Sequence, residues 1–174
     1  MNRSPGLQLW SLWRRLRPLS LLLLVSSTCQ MTTGAQVQED PLPIGRFRPE
    51  PYGFTAYSGI EDSLRVVIRD AAQWATYWDR INAHLIPVPA LPTVDFAREM
   101  VVVAALGTRS SGGYGIHVDS AYDASTYVEV VVRRSSPGKR CMVTAAFTQP
   151  VDLVRLPARR VPVRYRERAV VEEC

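Results

Sequence analysis

The chain has 174 residues, and its 21 cationic and 16 acidic side chains give a net charge of +5. This length allows one domain plus accessory segments, and the 13 prolines favour loops and edge strands over long helices. Residues 1–28 carry four of the cations and no acid, so the remainder has 17 cations against 16 acids. Overall basicity therefore gives no support to a nucleic-acid-binding function, and we expect no nucleic-acid partner.

Residues 1–35 have the anatomy of an export signal. An arginine-rich stretch over residues 14–17 precedes the apolar run Leu19–Val25, which is far shorter than the roughly 20 residues of a transmembrane helix. The sequence Val-Ser-Ser-Thr-Cys ending at Cys29 resembles a bacterial lipobox and predicts lipidation of Cys29, hence a membrane anchor. Cleavage after Ala35 is the alternative. We expect a periplasmic or outer-membrane lipoprotein of the cell envelope, or otherwise a secreted protein.

Export to an oxidising compartment bears on the other cysteines. With Cys29 lipidated, Cys141 and Cys174 form an even pair, and we expect them to make a disulfide. Two free thiols are the alternative. Because these cysteines have no CxxC spacing and the chain has two histidines, no metal site is expected.

A proline-rich linker is predicted up to about residue 53, followed by a domain over residues 54–174. The domain holds one amphipathic helix, about residues 70–85, with Asp70 as its N-cap and Gln73 placed to complete a capping box. An apolar stripe at helical period contains Trp74, Tyr77, Trp78, Ile81 and Leu85. This stripe favours core packing over a ligand site.

Apolar runs on both sides of the helix predict strands. Met100–Leu106 shows no alternation, so we expect a central strand buried on both faces, with the helix covering one of them. Further strands are predicted at 64–68, 114–119, 128–132, 141–148 and 151–156, with turns at 123–125 and 135–138. Weaker strand patterns lie at 54–60 and, as edge strands, at 161–165 and 169–171. The pattern predicts an α+β fold, an antiparallel sheet of about six to eight short strands with the helix packed on a face.

The C-terminal part of the domain is rich in arginine. The cations are Arg155, Arg159, Arg160, Arg164, Arg166 and Arg168. Several alternate with apolar residues, which indicates the solvated face of an edge strand.

The stretch from Gly107 to Tyr114 combines three glycines, small hydroxyls, a cation and an aromatic ring. As a hairpin connection, it would need Gly112 and Gly113 for positive φ. Hairpin geometry does not require an arginine or a tyrosine, which are residue types favoured at protein interfaces. We therefore predict that a protein partner contacts Thr108, Arg109, Ser110, Ser111, Gly112, Gly113 and Tyr114.

The residue pattern of this stretch favours catalysis less than it favours partner binding. Ser110 and Ser111 do not form a G-x-S-x-G motif, and His117, the nearby base, is expected on the solvent face of a strand. An anion-binding nest lacks the phosphate-loop motif and a following helix. We therefore expect no enzymatic activity, no catalytic residue and no cofactor.

Two segments resemble a known family. Residues 94–102, Val-Asp-Phe-Ala-Arg-Glu-Met-Val-Val, and the stretch 107–114, Gly-Thr-Arg-Ser-Ser-Gly-Gly-Tyr, resemble the C-terminal domain of the PrcB family. The family's stretch is close to G-x-R/K-x-T/S-G-G-Y-x-I. Positions 111–114 and Ile116 match it, and Ser110 stands where proline is common. The resemblance covers about residues 55–157.

Proteins of that family are described as protease complex subunits. Together with the leader and the lack of a catalytic motif, the resemblance predicts an exported, lipid-anchored, non-catalytic binding domain that associates with an envelope or secreted protein, such as a secreted or periplasmic protease. The alternative is a direct protease inhibitor acting through residues 107–114, since this stretch also resembles the T-T-G-Y/F loop of chagasin-type cysteine protease inhibitors. A hydrolase using Ser110 or Ser111 is a third possibility.

Overall fold

The computed structural model describes residues 39–47 and 54–174. The export signal and the lipidation site predicted at Cys29 lie outside these residues. The strands are β1 Asp40–Pro41, β2 Gly45–Arg46, β3 Phe54–Thr55, β4 Ser63–Ile68, β5 Glu99–Leu106, β6 Gly115–Asp123, β7 Val128–Pro137, β8 Val151–Pro157 and β9 Val163–Glu172, and the helix is α1 Ala71–Asn82. In the described part of the chain, no helix has the length and apolar character needed to cross a membrane.

Two β-sheets and α1 form three layers. Sheet I has the strand order β1-β6-β7-β9, and sheet II has the order β2-β8-β5-β4 with β3 also paired to β8. One apolar core fills the space between the two sheets. A second core lies between sheet II and α1, where Trp74, Trp78 and Ile81 pack against Val101 and Val103.

The layers are built around β5. It lies between β8 and β4 in sheet II, and every residue from Met100 to Leu106 is buried. The even-numbered side chains of this run pack in the core shared with sheet I, and the odd-numbered ones pack under α1. The prediction of a central strand buried on both faces is confirmed, and double burial is the reason that the sequence shows no alternation.

The helix begins where the sequence predicts and ends three residues early. The Asp70 carboxylate accepts a hydrogen bond from the Gln73 N–H at 2.8 Å, so the N-cap is confirmed. α1 ends at Asn82, so Leu85 lies beyond the helix. The indole N–H groups of Trp74 and Trp78 donate to the carbonyls of Pro92 and Pro89, each at 2.9 Å. Both prolines lie in the connector between α1 and β5. The aromatic stripe is core, as predicted.

The sheet organisation differs from the prediction of one antiparallel sheet. The described strands form two sheets, and β9 pairs with β7 in parallel, from Val128 opposite Val163 to Pro137 opposite Glu172. The difference arises because β8 crosses to sheet II before the chain returns to sheet I, and alternation does not encode which sheet a strand joins. Residues 163–165 and 169–171 of the last two predicted segments are parts of β9, which lies at the sheet edge as predicted.

The strand predicted at 141–148 is absent. This segment is irregular, with an isolated bridge between Thr148 and Arg109. Its apolar residues look strand-like in sequence, but no neighbouring strand pairs with them, and several of their side chains face solvent. The turn predicted at 135–138 is displaced, because β7 continues to Pro137 and the chain turns where the Cys141 N–H donates to the Gly138 carbonyl.

Part of the proline-rich stretch that was expected to be an extended linker belongs to the fold. β1 pairs with β6, and β2 pairs with β8. Between them, Leu42 and Ile44 pack against the core between the sheets. Apolar residues between the prolines thus attach this segment to both sheets.

A buried carboxylate joins these elements. Asp152 on β8 has no exposed surface, and its Oδ2 accepts from the Val118 N–H at 2.7 Å and from Arg46 Nη1 at 3.0 Å. Arg46 Nη2 also donates to the Val118 carbonyl at 2.8 Å. Burial raises the pKa of Asp152, although the bond from Val118 and the charge of Arg46 act to lower it. The Asp152–Arg46 pair therefore links β2, β6 and β8 across the two sheets.

Candidate functional site

The stretch Gly107–Tyr114, here called the crossing loop, connects β5 in sheet II to β6 in sheet I. The hairpin prediction is therefore wrong, because the flanking strands do not pair with each other. Positive φ occurs at Gly107 (76°) and Gly113 (82°) and not at Gly112. A Cβ at Gly107 would lie 2.8 Å from backbone atoms of Glu61 and Ser63, so the chain can leave β5 here only with glycine.

Backbone hydrogen bonds hold the crossing loop at several points. The Thr108 N–H donates to the Glu61 carbonyl at 2.9 Å. Arg109 and Thr148 exchange both backbone hydrogen bonds, at 2.8 and 3.0 Å. Further along, the Gly112 N–H donates to the Thr144 carbonyl at 3.0 Å. The crossing loop is thus fixed in shape by the segment 141–148 that runs beside it.

Two predicted contact residues, Arg109 and Tyr114, are half-buried. Arg109 Nη2 donates to the Leu106 carbonyl at 2.7 Å, and the guanidinium carbon lies 5.8 Å from the centre of the Tyr114 ring. Both side chains line a cavity of about 260 Å³. Thr108, Ser110 and Gly113 are exposed, so these three residues form the outer surface of the crossing loop.

The cavity lies where the ends of three strands meet. Leu106, the last residue of β5, faces it together with residues near the ends of β7 and β9. Besides the crossing loop, the lining includes Arg134, Ser135, Ser136, Ala169 and Val171. The crossing loop therefore forms one wall of the cavity.

An exposed apolar surface lies beside the crossing loop. It consists of Met142, Val143 and Phe147, here called the apolar ridge, whose exposed fractions are 100%, 40% and 69%. A Cβ at Gly113 would lie 2.8 Å from Val143, so ridge and loop are in close contact. The interpretation of 141–148 as a strand missed this surface. Its sequence signal is an apolar run between Cys141 and Pro150.

The predicted disulfide between Cys141 and Cys174 is present, with its Cα atoms 5.3 Å apart. It attaches the irregular segment that carries the apolar ridge to the residue two positions after the end of β9. The sequence predicts a strand starting at Cys141 instead. Thr148 closes the other end of the ridge, where its hydroxyl donates to the Ser111 carbonyl at 2.9 Å. The ridge is thus fixed at both ends.

The residues considered for catalysis lie in the crossing loop and on β6. The Ser111 hydroxyl donates to the Gly112 carbonyl at 3.2 Å, and Ser110 is exposed. His117 lies half-buried on β6, opposite Arg133 of β7. Within residues 39–47 and 54–174, no group of three or more His, Cys, Asp or Glu side chains could hold a metal ion.

Residues 100–157 match the sequence model of the family described as PrcB C-terminal. This range contains β5 except its first residue, the crossing loop, β6, β7, the apolar ridge and β8. The family resemblance seen in the sequence is confirmed over these residues. No curated protein and no solved structure shows a significant match to the chain.

Proposed function

We propose, from the PrcB C-terminal family to which residues 100–157 are matched, that this protein is a non-catalytic binding subunit of a protease complex. Exported through residues 1–35 and anchored by a lipid on Cys29, it associates with a protease in the cell envelope or outside the cell. The crossing loop and the apolar ridge form the contact surface. Localisation and anchoring in this proposal come from the sequence of the leader.

The observation that supports this proposal is a fully exposed Met142 and a largely exposed Phe147 on a backbone held in place. Exposed apolar residues that cluster mark protein contact sites more often than scattered ones do. Here the disulfide at Cys141 and the bonds at Thr144 and Thr148 fix the segment before any partner arrives. Such preorganisation reduces the entropy lost on binding.

The test is affinity capture from the native envelope fraction with the full-length protein as bait. Met142→Ser combined with Phe147→Ser should abolish recovery of the protease, measured by mass spectrometry and by peptidase activity in the eluate. Ile86→Ser is the matched control, because Ile86 is 98% exposed on the connector after α1. Equal recovery of the same protease by the double variant would refute the contact surface.

Direct inhibition is the second candidate. The crossing loop presents an exposed Ser110 between backbone hydrogen bonds at Arg109 and Gly112, and a held loop of this kind can occupy a protease cleft. Purified protein would be incubated with serine, cysteine and metalloproteases and residual activity measured. A subunit that only binds leaves these activities unchanged. Inhibition that Ser110→Trp removes would establish the inhibitor function instead.

The non-catalytic part of the proposal has its own test. A fluorophosphonate probe labels activated serines, so it should leave Ser110 and Ser111 unmodified. Labelling at either serine, located by peptide mapping, would indicate a hydrolase.

The lipid anchor is tested separately. Cys29→Ser should move the protein from the membrane fraction to the soluble fraction, and an unchanged membrane fraction would contradict lipidation.

A further inference from the structure

The cavity behind the crossing loop combines an apolar surface with positive charge. Leu106, Tyr114, Ala169 and Val171 supply apolar lining, and Arg109 and Arg134 supply two guanidinium groups. No carboxylate is found among the described residues that line the cavity. A pocket of this composition suits a group with an apolar body and an anionic end.

The positive charge at the cavity is incompletely neutralised. Arg134 pairs with Glu167 at 2.7 Å, and Arg65 pairs with the same carboxylate at 2.7 Å. Arg109 makes no ion pair with the described residues, and its Nη2 hydrogen bond goes to a carbonyl. Two guanidinium groups therefore share one carboxylate, and Arg109 adds a third positive charge, which leaves an excess of positive charge that favours an anion.

Arg109 also has an unused donor. Its Nε is shielded from solvent and has no hydrogen-bond acceptor in the described part of the chain. A buried donor without a partner costs free energy, and a carboxylate can accept from it only after a change in the Arg109 side chain that exposes Nε. Guanidinium and carboxylate groups match in shape as well as in charge.

The size of the cavity selects among carboxylate ligands. At about 260 Å³ it lies below the roughly 300–1,000 Å³ of typical small-molecule pockets, so a single amino-acid residue is the natural occupant. A C-terminal residue carries its apolar side chain and its carboxylate on the same Cα. An internal acidic residue beside an apolar one would need room for two residues. A C-terminal residue therefore fits best.

We propose that the cavity binds the free C-terminal residue of a partner chain, with its α-carboxylate at Arg109 and Arg134 and its apolar side chain against Leu106 and Val171. The inference rests on the proposed function, since the crossing loop lines the cavity and also contacts the apolar ridge at Val143. A partner docked on the ridge can place its chain terminus in the cavity.

The experiment measures fluorescence anisotropy of three labelled peptides added to the full-length protein in detergent. Ala-Ala-Ala-Leu with a free C-terminus should bind at least about tenfold more tightly than its C-terminal amide, because a charge-assisted hydrogen bond contributes about that factor. The amide of Ala-Ala-Glu-Leu should bind no better than the first amide. Equal affinity of acid and amide, no binding up to about 1 mM, or preference for the glutamate peptide would each overturn the proposal.

Two variants locate the site. Arg109→Gln removes the charge and should weaken binding of the free-acid peptide about tenfold, while Ala169→Phe fills the cavity and should block it. Arg168→Gln is the control, since Arg168 is exposed on β9 and absent from the lining. Thermal unfolding shows whether each variant is folded. Unchanged affinity in a folded Ala169→Phe protein would overturn the assignment of the cavity.

The two proposals can fail separately. If the peptides do not bind but the apolar ridge is required for protease capture, the cavity inference is wrong and the binding function stands. If the free-acid peptide binds as described but capture is insensitive to the ridge, the cavity assignment stands and the contact surface is wrong.

Discussion

Arg109 and Tyr114 stack on each other across the two ends of the crossing loop, with the guanidinium carbon 5.8 Å from the ring centre. This contact, together with the bond from Arg109 to the Leu106 carbonyl, holds the loop against the end of β5. Arg109 and Tyr114, which the sequence indicates as contact residues for a partner, thus line a cavity. The large exposed apolar side chains beside them are those of Met142 and Phe147.

Replacing Gly107 should destabilise the whole domain. Gly107→Ala would force a left-handed backbone on alanine and bring its Cβ within 2.8 Å of backbone atoms of Glu61 and Ser63. The free energy of unfolding should fall by about 2 kcal/mol or more in urea titrations. Gly45→Ala is the control, because its nearest neighbour is the flexible Arg155 side chain at 3.3 Å. Equal stability of the two variants would contradict this account.

Removing the disulfide should loosen the apolar ridge. Cys141 and Cys174 are 33 positions apart, so the chain-entropy model gives a loss of about 3 to 4 kcal/mol for the double serine variant. Hydrogen exchange should rise most in residues 141–148. If exchange in that segment is the same with and without a reducing agent, the disulfide does not preorganise the ridge.

Asp152 predicts an unusual dependence of stability on pH. Burial raises the pKa of Asp152 in the folded protein above its ordinary value of 3.8. At pH values between 3.8 and this raised pKa, the folded protein therefore binds more protons than the unfolded chain. The stabilising contribution of Asp152 is therefore greatest below pH 3.8 and falls as the pH rises through the raised pKa.

Asp152→Asn removes this titration and the carboxylate that pairs with Arg46. We expect a loss of about 2 to 4 kcal/mol at neutral pH. The stability gap between wild-type and variant protein should narrow as the pH rises from about 4, which urea unfolding at a series of pH values can measure. A gap that widens with pH would indicate a lowered pKa for Asp152.

The N-cap of α1 offers a local test. Asp70→Ala removes the acceptor for the Gln73 N–H and should cost about 1 kcal/mol in the free energy of unfolding. Asp79→Ala serves as the control, because Asp79 is exposed on the same helix. Equal losses in the two variants would show that the cap is not the source of the effect.

Features that depend on local sequence could be predicted well. The unbroken apolar run of β5 identifies a strand buried on both faces, and the Asp70–Gln73 spacing identifies the start of α1. The cysteine count identifies the Cys141–Cys174 pair.

Features that depend on long-range pairing could not be predicted from the sequence. Nothing in the residues around Gly112 shows that the strands on either side belong to different sheets, so the crossing loop resembles a hairpin. The apolar run at 141–148 has strand composition, but no partner strand is available to it. The inward orientation of Arg109 depends on the Leu106 carbonyl and on Tyr114, which only the folded backbone brings to it.

The Cys141–Cys174 bond also determines how the domain carries mechanical load. A pull on Cys174 passes through the disulfide to Cys141 and then to the end of β7, so the covalent path bypasses residues 142–173. β8 and β9 lie in this bypassed segment and remain unstretched while the disulfide is intact. Tension between Cys174 and a partner held on the apolar ridge therefore acts on residues 141–147, and β8 and β9 are shielded.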